Sequence, residues 1–234
     1  FKREHIQSVL STYLKSIGIS TPLEIPKKNN KNIQFQIEGP FDSSYSLAIV
    51  NRELARAIEV AGHPISLRSK EGFGDFEPSS QFLTEHTNIK SMVENYQNKQ
   101  IKPEYVLRNC YPPVLHDMQG CMRVINSYGW EESGFPSSYV QEFNLKLDLV
   151  TVVSQFVKKV LRDNGIRIPI AVVGNGVDHL LHLQAEKLPE NLTKNWKKFR
   201  FLHISSCFPR KGVDALLAAY GKAFTILDDV TLII

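Results

Sequence analysis

The chain has 234 residues, 42% of them hydrophobic and 22% charged, a composition that indicates a globular protein able to bury a sizeable core. Its net charge of +4, without a long run of lysine or arginine, argues against nucleic-acid binding and leaves peripheral membrane association open. No apolar stretch approaches the length of a membrane span, and the three cysteines (Cys110, Cys121, Cys207) form no CxxC pair, which argues against a disulfide framework or zinc site and favours a reducing, cytoplasmic location.

The N-terminal segment is predicted to be a helix followed by a linker. Apolar residues recur at helical spacing through residues 1–18, and a polar cluster of lysine and asparagine follows them. We therefore assign residues 1–30 to an N-terminal helix and linker that precede the first domain.

A strand, a glycine-containing loop, a helix and a second strand open the first domain. Ile33, Phe35 and Ile37 alternate with polar residues, which predicts a strand. Apolar residues at helical spacing follow the loop over 47–61, and the next strand is predicted over 65–67. This βαβ order implies a parallel sheet with a right-handed crossover.

The alternation of strands and helices continues through the first domain, which is predicted to span residues 31–182. We expect a Rossmann-like α/β fold, with helices flanking a parallel sheet. The remaining helices are predicted over 80–96, over 137–147 with Ser137 or Ser138 as N-cap, and after the N-cap Ser154; the remaining strands are predicted over 105–107, 122–125, 149–153 and 168–173.

The C-terminal segment predicts the start of a second domain. Residues 183–198 are polar and contain Pro189, which indicates an interdomain linker. Residues 199–234 follow as strand, loop, helix and strand, the first βαβ unit of a second Rossmann-like domain. Because the chain begins with phenylalanine and ends on an apolar strand, we expect it to be a piece of a longer polypeptide.

The loop from Gly39 to Ser46 is the first candidate for ligand binding. It joins a strand to a helix, and ligands of open α/β sheets bind at the carboxyl ends of strands. A helix N-terminus there offers free N–H groups to a phosphate, and Gly39 permits close backbone approach. An ordinary βα turn explains the spacing equally well, and the loop is not a GxGxxG dinucleotide fingerprint.

A second candidate is the loop from Ser205 to Asp214, which also joins a strand to a helix. Arg210 and Lys211 come just before that helix, where cations are poorly placed for the helix dipole. A bound diphosphate would relieve this, because arginine can clamp phosphate oxygens in a bidentate manner and lysine adds a point charge. The alternative is a solvated basic turn.

Further candidates follow three other strands. Glu131 and Glu132, after Trp130, are adjacent carboxylates that suit acid–base or hydroxyl-binding chemistry, although such pairs are more often solvated. The other candidates for a cleft or acceptor site are Arg108, after the strand over 105–107, and the turn residues Asn175 and Gly176. The neighbouring His116 and Asp117 are not predicted to act as a dyad, because adjacent side chains usually diverge.

The order and spacing of these segments resemble glycosyltransferase family four, the large retaining group with the GT-B fold. The resemblance runs from about residue 33 to the end of the chain. Its most specific parts are Gly-Val-Asp at residues 176–178 and the stretch from Lys211 to Leu217. The other matching segments are residues 38–63, Trp130-Glu131 with Pro136, Val153 to Val157, Gly165, Val172 to Asp178, and Phe208 to Tyr220.

The resemblance implies two Rossmann-like domains facing a cleft, one holding the acceptor and the other most of a nucleotide-sugar donor. Members of the family transfer the sugar with retention, usually without an essential metal, so no cofactor or metal site is expected. Lys211 matches the family's diphosphate-binding lysine, but the companion arginine falls at Ser206, for which Arg210 is the candidate substitute. The family's paired glutamates, which hold sugar and ribose, would follow Ile234.

The resemblance also assigns expected roles. Gly39 and its neighbouring amides would face the donor diphosphate together with Arg210 and Lys211, and Glu131 is the candidate group at the acceptor or the reacting centre. The expected partners are a nucleotide-sugar and a glycan or other hydroxyl acceptor, as in glycan biosynthesis.

Two other functions stay open at this point. The missing glutamates and Ser206 would also suit a non-catalytic half-domain that binds a glycan or a protein partner. A dehydrogenase or a nucleotide-sugar epimerase is less well supported, because the chain lacks GxGxxG and a convincingly spaced ribose-binding acid.

Overall fold

The computed structural model describes residues 32–177 and 187–234, and the helix and linker predicted over residues 1–30 lie outside the described residues. The chain divides into two compact units, Phe1–His182 and Leu183–Ile234. Each unit contains its own β-sheet, with helices connecting the strands.

The described part of the first unit contains seven strands and five helices. The strands are β1 (Phe35–Gly39), β2 (Ile65–Glu71), β3 (Gly74–Asp75), β4 (Tyr105–Arg108), β5 (Met122–Tyr128), β6 (Leu149–Val152) and β7 (Ile170–Val172). The helices are α1 (Ser46–Val60), α2 (Ser80–Glu85), α3 (Thr87–Gln97), α4 (Ser137–Lys146) and α5 (Gln155–Asp163).

The strands form one sheet in the order β3-β2-β1-β4-β5-β6-β7. All neighbouring pairs are parallel except β2 and β3, which form a short antiparallel hairpin. The unit is therefore Rossmann-like, which confirms the predicted α/β class and the predominantly parallel sheet flanked by helices.

Three local predictions were wrong in detail. The hairpin strand β3 was missed, and β1 begins at Phe35 and includes Gly39, which was predicted to lie in the loop. The helix predicted over 80–96 is divided at His86, whose φ of −123° and ψ of 72° are not helical. The division gives the two helices different environments, because α2 has no buried residue whereas Ile89, Met92 and Val93 of α3 are buried.

One predicted helix cap was correct and the other was wrong. Ser154 caps α5 as predicted, because its Oγ accepts a hydrogen bond from Val157 N at 3.3 Å. The prediction of Ser137 or Ser138 as cap of α4 was wrong, since the N-cap is Pro136 and makes no side-chain hydrogen bond. Ser137 is already the first helical residue, where a hydroxyl cannot take the capping position.

Apolar side chains from alternate strand positions form two core clusters. One combines Ile37 of β1 and Leu67 of β2 with residues of α1 and α3. The other combines Val106, Ile125 and Val150 of β4–β6 with residues of α4 and α5. Strand register explains the separation. Ile37 and Leu67 align on one face of the sheet, whereas Ile125 and Val150 align on the opposite face.

Charged residues occupy the other positions of β1, β2 and β4 and are buried as an ion network. Glu38 is 1% exposed and Arg108 is 0% exposed, and Arg108 Nε donates to Glu38 Oε2 at 2.7 Å. Arg108 Nη1 donates to Asp117 Oδ1 at 2.7 Å, and Lys70 Nζ lies 2.9 Å from Asp117 Oδ2. Arg68 bridges the two carboxylates, at 3.3 Å from Glu38 and 3.0 Å from Asp117.

The pKa of Asp117 predicts how this network responds to acid. Partial burial would raise that pKa, but hydrogen bonds from Arg108 and Lys70 outweigh it and hold the pKa well below its ordinary value of 3.8. A depressed folded-state pKa contributes stability above the unfolded pKa, and that stability is lost as pH falls further. We therefore expect stability to decline from about pH 4 downward.

An Asp117→Asn variant isolates this contribution. The difference in free energy of unfolding between wild type and variant, measured by urea denaturation, should shrink as the pH falls from 5 toward 2. A difference that stays constant over this range would show that Asp117 does not titrate in the way its partners require.

The second unit is a βαβ structure, as predicted. Its two parallel strands are β8 (Phe199–Leu202) and β9 (Val230–Ile233), and its main helix is α7 (Val213–Ala223). The helix packs on the strands through aromatic rings, and the ring centroids of Phe201 and Tyr220 are 6.1 Å apart. A short helix α6 (Glu190–Thr193) lies in the segment predicted as a linker, of which residues 183–186 lie outside the described residues.

The helices give no transmembrane candidate in the part of the chain that the structure describes. Within residues 32–177 and 187–234, every helix is too short or too polar to cross a lipid bilayer.

Candidate functional site

A topological switch point lies between β1 and β4, which are neighbours in the sheet. From β1 the chain passes through α1 to β2 on one side, and from β4 it passes to β5 on the other side. Connections that leave in opposite directions open a crevice at the carboxyl ends of the two strands, where open α/β sheets bind their ligands. Gly39 and Asn109 lie at this edge.

Gly39 is locked against its neighbours at the switch point. A Cβ atom at this position would lie 2.4 Å from Asn109 O and 2.5 Å from Asn51 Nδ2. The Asn51 amide donates to Pro40 O at 2.8 Å and to Asn109 O at 3.0 Å. One side chain of α1 therefore ties the ends of β1 and β4 together across the space that glycine leaves open.

Arg52 of α1 binds the loop after β1 through carbonyl groups of the loop. Arg52 Nη1 donates to Ser43 O at 2.5 Å and to Phe41 O at 3.3 Å. In a trans peptide the following N–H points the opposite way, so the amides of Asp42 and Ser44 point away from Arg52. Neither amide donates a hydrogen bond to another described residue.

The start of α1 adds further free donors. Its N-cap, Tyr45, makes no capping hydrogen bond, and no acidic residue lies in the first turn. The Tyr45 hydroxyl donates to Glu71 Oε1 at 2.7 Å, and Asp42 Oδ2 accepts from Ser79 N at 2.8 Å, so both side chains have partners beyond the helix end. Free loop amides before an uncapped helix are suited to an anionic group.

Arg108, predicted as a cleft residue, belongs to the buried ion network. In addition to Glu38 and Asp117, it donates to Val114 O at 2.5 Å. Protein partners therefore occupy its guanidinium, and we assign it a supporting role beneath the segment that follows β4. It makes no contribution to the accessible surface, since it is 0% exposed.

The segment around Trp130 follows β5 at the same edge of the sheet. The indole Nε1 donates to Gly134 O at 2.7 Å, and the ring packs edge-on against Phe135 at 4.9 Å. This anchoring fixes the short loop that carries Glu131 and Glu132, both of which are exposed. Both residues therefore lie at the solvent-accessible surface of this edge.

Asn175 and Gly176 follow β7 and are also exposed, at the far end of the same edge. Gly174 just before them has a φ of +66°, a left-handed conformation that favours glycine and turns the chain sharply. Asp178, the last residue of this predicted motif, lies outside the described residues. Gly39 is on β1, and three strands (β4, β5 and β6) lie between β1 and β7, so the structure does not bring Asn175 and Gly176 beside Gly39.

The second unit places Arg210 and Lys211 in a 3-10 turn, Pro209–Lys211, directly before α7. Gly212 then adopts a left-handed conformation, with φ 66° and ψ 29°, and serves as N-cap without a side-chain hydrogen bond. Asp214 in the first turn complements the helix dipole. Lys211 is exposed, so its ammonium group is available to an anion at this helix start.

Sequence reasoning missed several polar residues near the switch point. Asp117 was given no role, yet it bonds to Arg108 and Lys70. Asn109 and Asn126 were not singled out, although they are 4% and 3% exposed and retain amide atoms without a hydrogen-bond partner among the described residues. An available signal was an asparagine shortly after each of two predicted strands, over 105–107 and 122–125, since the carboxyl ends of strands carry the ligand contacts of open α/β sheets.

The comparisons with known proteins leave the family open. No protein-family model matches the chain, and no curated protein matches it. Among the described residues, no three His, Cys, Asp or Glu side chains converge as metal ligands would.

Proposed function

We propose that the protein is a glycosyltransferase that transfers a sugar from a nucleotide-sugar donor to an acceptor hydroxyl, with retention and in a GT-B arrangement. The observation that carries this proposal is the loop after β1. Its carbonyls are bound by Arg52 and Asn51, its Asp42 and Ser44 amides are unused, and it leads into an uncapped helix at the switch point. A donor diphosphate is a ligand that such a loop suits.

The reaction makes electrostatic demands that these features meet. The bond from the anomeric carbon to the nucleoside diphosphate breaks, a bond from that carbon to the acceptor oxygen forms, and the hydroxyl proton is released. Negative charge grows on the departing diphosphate in the transition state, so fixed N–H donors and cations lower the barrier. The Asp42 and Ser44 amides are proposed to supply the N–H donors on the first unit, and Lys211 is proposed to supply a cation on the second unit.

The remaining candidate residues receive roles on the acceptor side. Glu131 is proposed to contact the acceptor or the reacting centre, and the packing of Trp130 holds its loop in place. Glu132, Asn175 and Gly176 are exposed on the same edge of the sheet and are proposed to contact the acceptor.

The Lys211→Ala variant tests the donor site. Losing a charged hydrogen-bond donor to a phosphate costs about 1.5–3 kcal/mol, which corresponds to roughly 10- to 150-fold weaker binding. Isothermal titration with UDP, GDP, ADP and their sugar derivatives, on the protein as it is encoded with any residues before Phe1 or after Ile234, should detect one nucleotide whose binding weakens by this factor.

Lys222→Ala is the matched control, because Lys222 is an exposed cation in the last turn of the same helix. It should leave nucleotide binding unchanged. Equal binding by Lys211→Ala and wild type would remove the diphosphate assignment. Absence of any nucleotide binding by the folded protein would instead support a non-catalytic, glycan-binding module.

A further inference from the structure

A cavity of about 680 Å³ opens on one face of the sheet of the first unit. Its volume lies within the range of about 300–1,000 Å³ that small-molecule sites occupy. Residues of β1 and β2, the end of α3 and the segments that precede β4 and β5 line it. None of the residues proposed to contact the donor or the acceptor is among them. The cavity is therefore a separate candidate site, and its ligand does not depend on the proposed function.

The buried ion network supplies both carboxylates of the cavity wall. Glu38 and Asp117 line the cavity, and so does Arg68, which contacts both of them. Glu38 is also bonded to Arg108, and Asp117 is also bonded to Arg108 and Lys70. Protein cations thus already surround both carboxylates, which leaves them poorly suited to binding a cationic ligand.

Two lysines at the rim of the cavity carry positive charge that the described residues do not neutralise. Lys99 follows α3 and Lys102 precedes β4, and both are exposed. Neither ammonium group forms an ion pair with another described residue. Lys90 of α3, in contrast, lies 3.9 Å from Glu94. An anion in the cavity would therefore gain the attraction of two cations without breaking an ion pair of the protein.

The type of cation favours a phosphate over a carboxylate. The guanidinium of Arg68 already contacts Glu38, Asp75 and Asp117, so it is not open to bidentate binding of a ligand carboxylate. Lysine binds phosphate as a point charge. A phosphate monoester carries about 1.5 to 2 negative charges at pH 7, which matches the two unpaired lysines.

The rest of the wall suits a small organic group. Ile101 and Pro103 add apolar surface beside Lys102, and Gln119 adds an amide that can bind a hydroxyl group. We propose that this cavity binds a small phosphate monoester of the sugar-phosphate type. Lys99 and Lys102 hold its phosphate group, and its carbon part lies against the apolar wall.

Cys121 provides a direct readout of the cavity, because it is exposed and lines the wall. Cys207, exposed on the second unit, and the buried Cys110 are internal references. In the ligand-free protein, iodoacetamide should modify Cys121 faster than Cys110, as measured by mass spectrometry of each cysteine. Glucose 6-phosphate and glycerol 3-phosphate should slow the reaction of Cys121 severalfold and leave that of Cys207 unchanged, whereas glucose should slow neither.

Two results of the labelling would overturn the proposal. If Cys121 reacts no faster than Cys110 without a ligand, the cavity is already covered in the protein. If neither phosphate ester slows Cys121, or if glucose slows it equally, a phosphate site is absent from this cavity.

The variants Lys99→Gln and Lys102→Gln remove each charge while keeping most of the side chain. Each should weaken binding of the two esters about tenfold or more in calorimetric titration, and should reduce the protection of Cys121. Lys90→Gln is the matched control, because this exposed lysine of α3 does not line the cavity. Ester binding that both rim variants leave intact would overturn the assignment.

Further probes separate the parts of the ligand and the two proposals. Inorganic phosphate should bind more weakly than the esters, and equal affinity would overturn the organic part of the ligand. Succinate that protects Cys121 as well as glucose 6-phosphate does would overturn the choice of phosphate. Lys211→Ala should leave ester binding unchanged, so failure of the diphosphate site and failure of this cavity site are distinguishable.

Discussion

Replacing Glu38 by alanine is expected to lower the free energy of unfolding by about 3–5 kcal/mol, because it leaves a buried guanidinium without its carboxylate. Glu38 accepts from both Nε and Nη2 of Arg108, and neither side chain is more than 1% exposed. Urea denaturation should show a lower midpoint with an unchanged slope, as a loss of native stability requires.

Two further variants separate charge from shape. Glu38→Gln keeps the shape and one acceptor but removes the charge, so its cost should fall between wild type and Glu38→Ala. Asp163→Ala removes an exposed partner of Lys159 on α5, where such a pair contributes only about 0.3–0.5 kcal/mol. A Glu38→Ala cost as small as that of Asp163→Ala would show that the buried network does not hold the sheet together.

The ion network also shows what a sequence pattern cannot predict. Alternation along β1 correctly predicted a strand with Ile37 at one of its apolar positions, but it gives no reason to bury Glu38 on the other face. Burial follows from cross-strand pairing with Arg108, which is 70 positions away in sequence. Such a partner is invisible to a local pattern, because charged residues in a strand are ordinarily on the solvent face.

Strand ends were easier to predict than strand partners. Periodicity identified β1, β5 and β7, although it ended β1 before Gly39 and β5 at Ile125 rather than Tyr128, and it put Trp130 and Asn175 after the carboxyl ends of their strands. The order of strands, and with it the switch point between β1 and β4, depends on long-range contacts that periodicity does not encode. The resemblance to glycosyltransferases named residues at strand ends but gave no hint of Asn109 or Asn126.

Local backbone geometry explains which predictions of helix ends were correct and which were wrong. Ser154 is a correctly predicted cap, because a serine directly before the first helical turn can accept from the third amide. Pro136 took the same position at α4, since its ring-fixed φ of −58° is compatible with the extended, non-helical ψ of 131° that precedes the helix. No proline or glycine lies near His86 to indicate a helix break there, so the sequence predicted one long helix.

Gly39→Ala should have the second large effect, a loss of about 3 kcal/mol, at the upper end of the cost of overpacking. The new Cβ would meet Asn109 O at 2.4 Å, which is backbone of the neighbouring strand and cannot move without breaking the Asn109 N–Glu38 O bond at 3.0 Å. It would also meet Asn51 Nδ2 at 2.5 Å and displace the amide that binds Pro40 O. Gly134→Ala is the control in the same unit, because nothing lies within 4 Å of its Cβ, and its cost should stay within about 0.5 kcal/mol.

The Gly39 variant also tests whether the loop amides form the anion site. Moving Asn51 releases Pro40, so the Asp42 and Ser44 amides should lose their fixed direction, and nucleotide binding should weaken even at temperatures where the variant is fully folded. Circular dichroism establishes the folded temperature range, and nucleotide titration within it gives the affinity. A variant that is destabilised but binds nucleotide normally would confine the role of Gly39 to packing. A variant as stable as Gly134→Ala would show that β1 and β4 approach less closely than the contacts of Gly39 require.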